Sequence, residues 1–223
     1  MRWEERNSKI EERVDDMVDD IAEEFDLVIP FYPETYWVGK KLNFGDLHLP
    51  KNCFRSFQDA KENKSGLNYC SHNMILVGRE SDHLIGEEAA HFLYHQNSGV
   101  KQWGREYPDI LGIKIYHEML GFFGSKLADS SRKYEPERTD WIISKNLDTD
   151  ALSQIKKIME SKDIDTHYNF IYDMGYGLGE KLFNHYISEK VSKKFVRDLF
   201  CDPLEKFGYP IWKFLNLKYK ELK

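Results

Sequence analysis

The stretch Gly86-Glu87-Glu88-Ala89-Ala90-His91-Phe92-Leu93-Tyr94-His95 is the part of the chain that decides the fold. Ser81 and Asp82 precede it with side chains that cap the exposed N–H groups of a helix start. Asn97-Ser98-Gly99 follows it with residues that favour a helix end. These signals predict one helix that begins near Ser81 or Asp82 and runs to about Gln96, and we expect it to be central to the fold.

Polar residues recur every four positions along this predicted helix. Glu87, His91 and His95 therefore lie on one face, one turn apart. The spacing differs by one residue from H-E-x-x-H, where two histidines hold a zinc ion and the glutamate acts as general base. Here Glu87 stands in place of the first histidine, and Glu88 occupies the position of the base. Because carboxylate oxygens also bind zinc, the pattern predicts a metal site despite the substitution.

Residues 66–128 resemble the gluzincin metallopeptidases, and in particular their compact minimal scaffold. In that family a short apolar strand precedes the signature helix, and a later helix supplies a glutamate as third ligand. Met74-Ile75-Leu76-Val77 matches the strand, and Glu118 is the best match for the third ligand. Gly121 and Gly124 follow Glu118 and would permit the close helix crossing that such a site needs.

The resemblance implies a set of site residues. It assigns Glu88 as general base and His91 and Glu118 as metal ligands, with Glu87 either an altered ligand or no ligand. The implied cofactor is a divalent metal, zinc first. Manganese or iron are alternatives, since oxygen-rich sites favour harder ions. The implied activity is hydrolysis of a peptide or protein substrate by a metal-activated water.

The remainder of the chain supplies short strands and further helices. Leu67-Asn68-Tyr69-Cys70 and residues 74–77 flank a polar segment and predict a hairpin or a bent strand, and residues 28–32 and 36–38 contain β-like runs. Polar residues 129–140 predict a loop that gates the site, with 101–108 on another rim. Helices are predicted over residues 3–27, 109–128, 148–161, 163–189, 192–200 and 210–221.

Two features outside the signature bear on the site. Gly175, Gly177 and Gly179 would weaken an isolated helix, so they predict a close crossing with another helix, the signature helix first. Glu180 could reach the site as a fourth carboxylate, and His167 or Tyr168 could supply a proton donor. The acidic pairs of the first helix, 15–16, 19–20 and 23–24, predict a solvated face.

The composition limits the classes of protein to which the chain can belong. The chain has 223 residues, 41% hydrophobic and 31% charged, and a net charge of −6. The negative charge argues against a nucleic-acid partner. No run of about 18 apolar residues and no apolar leader is present, which predicts no membrane partner and no secretion signal. Three widely spaced cysteines, Cys53, Cys70 and Cys201, fit a reducing, cytoplasmic location.

The sequence therefore predicts one α+β domain over residues 1–223 that is mostly helical. A small β-sheet lies beside a helical body, with the metallopeptidase-like helix at the centre. Residues 1–65 supply the N-terminal helix and β segments, 66–128 the gluzincin-like core, and 141–223 a helical part.

Several functions remain open from the sequence. The chain is either a metal-dependent peptide or amide hydrolase, or a catalytically inactive scaffold without metal that acts as a binding protein. A carboxylate-bridged di-iron or di-manganese bundle is disfavoured, since it needs a second E-x-x-H that the chain lacks. A binding module that uses the abundant aromatic residues is a further alternative.

Overall fold

The computed structural model describes residues 3–39, 42–47, 49–69, 72–98, 109–132 and 168–201. Six α-helices and three β-strands lie within these ranges. The predicted helices at 148–161 and 210–221, the rim at 101–108, His167 and most of the predicted loop 129–140 lie outside the described residues.

Helices account for most of the described residues, as the sequence predicted. They are α1 (Trp3–Phe25), α2 (Phe54–Asn63), α3 (Asp82–Asn97), α4 (Asp109–Ala128), α5 (Tyr168–Ile187) and α6 (Lys193–Cys201). Two short 3-10 turns, Phe44–Asp46 and Lys51–Cys53, precede α2. The fold is α+β and mostly helical, which confirms the predicted class.

The sheet has three strands in the order β1-β3-β2, with β1 at Glu34–Trp37, β2 at Gly66–Tyr69 and β3 at Met74–Val77. The predicted hairpin is confirmed, because β2 and β3 pair antiparallel. β1 lies parallel to β3 on the other side. All four residues of the central strand β3 are buried, as its apolar, partly β-branched sequence requires.

Helix α3 lies at the centre of the described structure. It packs against α4, α1 and α6 and contacts β2 and β3. Ten consecutive residues, Ile85 to Tyr94, are buried, so the helix has no solvated face over that span. A helix that is buried all round brings its polar residues into the interior, where each needs a partner or a ligand.

Two segments differ from the sequence predictions. Residues 28–32 do not form a strand, and Val28 is 64% exposed. The Asn97 side chain bonds both the N–H and the C=O of Val28, at 2.9 and 3.1 Å, which satisfies the backbone without a neighbouring strand. Helix α2 was not predicted, because only Phe57 and Ala60 of its ten residues are buried and the apolar pattern is weak.

The crossing of α3 and α4 depends on two glycines. A Cβ on Gly86 would lie 2.5 Å from the carbonyl oxygen of Gly124, and a Cβ on Gly124 would clash with Ala90 and with the Gly86 carbonyl. The helices therefore approach with backbone in direct contact. This closeness is what lets side chains of α3 and α4 share one site.

We expect Gly124→Ala to lower the free energy of unfolding by about 1–3 kcal/mol, since a rigid backbone carbonyl must move to admit the methyl group. The gain in helix propensity, up to about 1 kcal/mol, offsets only part of this. Urea denaturation measures the change. Gly45→Ala is the matched control, because nothing lies within 4 Å of its Cβ position. Equal effects of the two substitutions would show that the crossing is not tight.

The glycine-rich stretch of α5 packs against α4 rather than against α3, which corrects the partner expected from the sequence. A Cβ on Gly175 would clash with the Glu118 side chain, and a Cβ on Gly179 would lie 2.5 Å from the Met119 carbonyl. These glycines are four residues apart and share one helix face. The α5 backbone thereby supports the segment of α4 that carries Glu118.

The acidic face of α1 is solvated at Asp16, Asp19 and Asp20, as predicted, but Asp15 is half-buried. Its Oδ1 is buried and has no hydrogen-bond partner among the described residues. Burial first, and then the nearby carboxylates Glu11, Asp19 and Asp16, raise the pKa of Asp15 to about 6. The ionised carboxylate of Asp15 is therefore unfavourable in the folded state.

We expect Asp15→Asn to stabilise the protein at pH 7 by about 1 kcal/mol, allowing for solvent screening, or by about 2–4 °C in Tm. The raised pKa sets the pH window. The favourable contribution of protonated Asp15 is complete below its unfolded value of 3.8 and is lost as the pH rises through about 6. Thermal melts at pH 4 and pH 7 measure this, with exposed Asp20→Asn as control. A difference between Asp15→Asn and wild type that does not depend on pH would contradict the assignment.

Candidate metal centre

A cavity of about 810 Å³ opens between α3, α4, α5 and the segment that joins α2 to β2. Glu87, Glu88 and His91 reach it from α3, and His117 and Glu118 reach it from α4. These five are the acid and imidazole side chains at the base of the cavity. Further wall residues are Asp59, Lys64, Gly66, Arg79, His83, Arg132, Tyr172 and Tyr176.

His91, His117 and Glu118 form a group that could hold a metal ion. One nitrogen from each histidine and one carboxylate oxygen all lie within 4.8 Å of one another. His91 is 5% exposed, His117 is 8% exposed and the Glu118 side chain is 15% exposed. Two imidazoles and one carboxylate are the protein ligands of a known class of catalytic zinc site, which leaves a fourth position for water or substrate.

The two imidazole rings are stacked face to face. Their centroids are 3.6 Å apart and their planes differ by 9°. Nδ1 of His117 lies 3.8 Å from Oε1 of Glu118. The His91 ring lies over Gly121, where any Cβ would clash with Cε1 and Nε2 of the imidazole. Gly121 therefore makes the space that lets His91 face α4.

The donor atoms fit a divalent ion. Nδ1 of His91 is buried and has no hydrogen-bond partner among the described residues. A buried imidazole nitrogen without a partner costs free energy unless a ligand satisfies it. Among the described residues no acid bonds Nδ1 of His91, so a ligand could satisfy this nitrogen.

The charge state of the group also suits a cation. Burial lowers the pKa of His91 to about 3, and burial together with the neighbouring histidines lowers that of His117. Both rings are therefore neutral at pH 7, which is the state that coordinates metal. Burial, and then the charge of Glu87, raise the pKa of Glu118 well above its usual value. A bound cation would place a positive charge beside this carboxylate and stabilise its ionised form.

Glu87 lies in the cavity but outside this three-residue group. Its Oε2 accepts a hydrogen bond from Nη1 of Arg132 at 2.8 Å, and its Oε1 accepts one from the Tyr176 hydroxyl. The Arg132 guanidinium also donates to Ser125 and lies 4.8 Å from the Phe122 ring centroid. Both carboxylate oxygens of Glu87 are thus occupied by protein donors, and its charge is paired.

Buried Lys126 fixes the turn that carries Arg132. Its Nζ donates to the carbonyls of Ser130 and Arg132, at 2.8 and 2.5 Å. This contact directs the start of the predicted loop back over the cavity. Glu180 lies 4.0 Å from the same Nζ and is not among the described residues that line the cavity.

Glu88 is 5% exposed and lines the cavity beside Gly66 of β2, where a Cβ would clash with its carboxyl group. Burial raises the pKa of Glu88 well above its usual value, and the charges of Glu87 and Glu118 raise it further. A raised pKa makes a carboxylate a stronger base, which suits general acid–base catalysis.

The structure brings together His91 and Glu118, two of the three ligands predicted from the sequence. The third predicted position, Glu87, is held by Arg132 and Tyr176. His117 joins the group instead, and it was not predicted as a ligand. Its sequence signal was its position directly before Glu118 on the helix predicted over residues 109–128.

No protein-family model, curated protein or solved structure matches the chain. None of the described helices combines the length and the apolar character needed to span a bilayer. The function must therefore be inferred from the site itself.

Proposed function

We propose that the protein is a metal-dependent hydrolase of peptide or amide bonds, with a site like that of the gluzincins. The observation that carries this proposal is the buried group His91, His117 and Glu118 at the base of a large cavity that Glu88 also lines. A ligand group alone would suit a structural ion. A ligand group beside a buried carboxyl group and a cavity that can admit a substrate suits a catalytic site.

Zinc is the metal that we propose. Two imidazoles and one carboxylate form the protein ligand set of thermolysin-type catalytic zinc. When bound, the ion would polarise the scissile carbonyl and lower the pKa of a water molecule. Because His117 supplies a second nitrogen, the site is less oxygen-rich than one built on Glu87, which weakens the case for manganese or iron.

Glu88 is the proposed general base. It takes a proton from the attacking water and later delivers that proton to the leaving amine, so the carboxylate is regenerated in each turnover. Its burial excludes bulk water from the carboxyl group, and its contact with Gly66 fixes the side chain against β2. Glu88 therefore keeps the role that the signature predicts.

Glu87 has a supporting role in this proposal. Its pairing with Arg132 and Tyr176 holds two donor side chains on the cavity wall, next to the reacting groups. Under the alternative hypothesis the chain is an inactive scaffold that binds a partner. It has the same cavity but contains no zinc.

The proposal is tested by the metal content of the full chain, purified without chelator and measured by mass spectrometry. We expect about one zinc per chain, since two neutral imidazoles and one carboxylate form a zinc-binding ligand set at neutral pH. Glu118→Gln should lose it. Glu62→Gln, an exposed acid on α2, is the matched control and should retain it.

Hydrolysis is assayed on a fluorogenic peptide pool. Activity should disappear with chelator and return with added zinc. Wild-type protein that takes up neither zinc nor manganese would favour the inactive scaffold. If the protein binds zinc but cleaves no peptide or simple amide, the metal site stands and the proposed hydrolase activity is rejected.

A further inference from the structure

His95 lies one helical turn after His91 on α3 and faces His117 of α4. The Nε2 atoms of His95 and His117 are 3.1 Å apart, which is hydrogen-bond distance, and the ring centroids are 5.1 Å apart. Nδ1 of His117 instead faces Glu118, at 3.8 Å from Oε1. The two nitrogens of His117 thus meet different groups, and the contact with His95 engages the one that does not face Glu118.

When both imidazoles are neutral, a bond between the two Nε2 atoms requires a proton on one and a lone pair on the other. If His95 donates, His117 carries its own proton on Nδ1 and cannot coordinate through that atom. If His117 donates, its Nδ1 presents a lone pair toward Glu118 and the metal position. Only the second arrangement gives three coordinating atoms at this site.

We propose that His95 is a positioning residue for the metal centre: its Nε2 accepts the Nε2–H of His117 and thereby fixes the tautomer that coordinates through Nδ1. This inference rests on the proposed function. Metal-binding histidines generally donate their other N–H to a fixed acceptor, which sets both the ring orientation and the tautomer. Here another imidazole takes the place of the usual carboxylate or carbonyl.

The placement of His95 follows from the helix repeat. His91 and His95 are four residues apart, so they project from the same face of α3 toward α4. The first contributes a ligand, and the second orients the ligand that α4 contributes. One stripe of α3 thus accounts for both the coordination and the orientation of the site, which explains why the polar spacing extends one turn beyond the signature.

The tautomer can be measured on the metal-free wild-type chain by ¹⁵N NMR of the histidine side chains. We expect the resonances of His117, assigned by comparison with His117→Gln, to show a protonated Nε2 and an unprotonated Nδ1. A His117 protonated on Nδ1 would overturn the inference. This measurement needs neither activity nor metal, so it distinguishes failure of the inference from failure of the proposed function.

Zinc affinity gives the second test, by competition with a chromophoric chelator. His95→Phe keeps a ring of similar size but removes the acceptor, and we expect the Kd for zinc to rise about 10- to 100-fold. His95→Gln offers a carbonyl oxygen in its place, so its Kd should stay within about threefold of wild type.

Thermal melts establish that each variant is as stable as wild type before its zinc affinity is compared. The exposed His185→Phe is the matched control. Equal affinity of His95→Phe and wild type would overturn the inference, as would equal losses in His95→Phe and His95→Gln. Failure of the wild-type chain to bind zinc would reject the proposed function and this inference with it, whereas a His117 protonated on Nδ1 in a chain that does bind zinc would reject this inference alone.

Discussion

His117→Gln should abolish stoichiometric zinc binding, whereas Glu87→Gln should leave it in place. His117 offers a nitrogen within 4.8 Å of the other two donors, so its loss leaves only two protein ligands. We expect the Kd to rise by at least about 100-fold, more than the loss of a supporting residue causes. Glu87 is already bonded to Arg132 and Tyr176, so its removal should change the Kd by less than about tenfold.

Isothermal titration of the metal-free proteins with zinc measures both values. His185→Gln is the matched control, because His185 lies on the exposed side of α5. The opposite result, retention of zinc in His117→Gln and its loss in Glu87→Gln, would establish the ligand set that the sequence predicted. It would also require Glu87 to leave Arg132 when the metal binds.

Much of the fold was predictable because its signals are local. The apolar face of α1, the buried run of β3 and the polar residues at both ends of α3 each specify an element without reference to distant residues, although the Ser81 side chain makes no capping bond. The exceptions are segments whose conformation depends on a remote partner. Residues 28–32 have β-like composition, but the Asn97 amide satisfies the Val28 backbone in place of a strand.

The site was predictable only in part, for a related reason. The spacing of the signature placed His91 and Glu88 on one helix, three residues apart, and that spacing is a local property. Which residue of α4 meets His91 depends on how α3 and α4 cross, and that crossing is set by Gly86 and Gly124 on different helices. The role of Arg132 depends on a turn held by Lys126, which no spacing rule reveals.

Glu88→Gln should abolish hydrolysis while leaving zinc bound and the fold intact. Glutamine has nearly the same shape as glutamate but cannot accept and release a proton, so kcat should fall by about 10²- to 10⁴-fold. Folding raises the pKa of Glu88 well above its usual value. The amide avoids the cost of burying a charge, so the variant should melt at or above the wild-type temperature. Steady-state kinetics, zinc content and a thermal melt on one preparation measure the three quantities.

Asp59→Asn is the matched control for Glu88→Gln, since Asp59 lines the same cavity but is exposed. It should keep kcat close to wild type. Loss of zinc in Glu88→Gln would make Glu88 a ligand rather than a base, and unchanged kcat would remove it from the reaction. Only the combination of retained zinc, retained stability and lost turnover assigns proton transfer to this carboxyl, because a ligand or a packing residue would lose one of the first two.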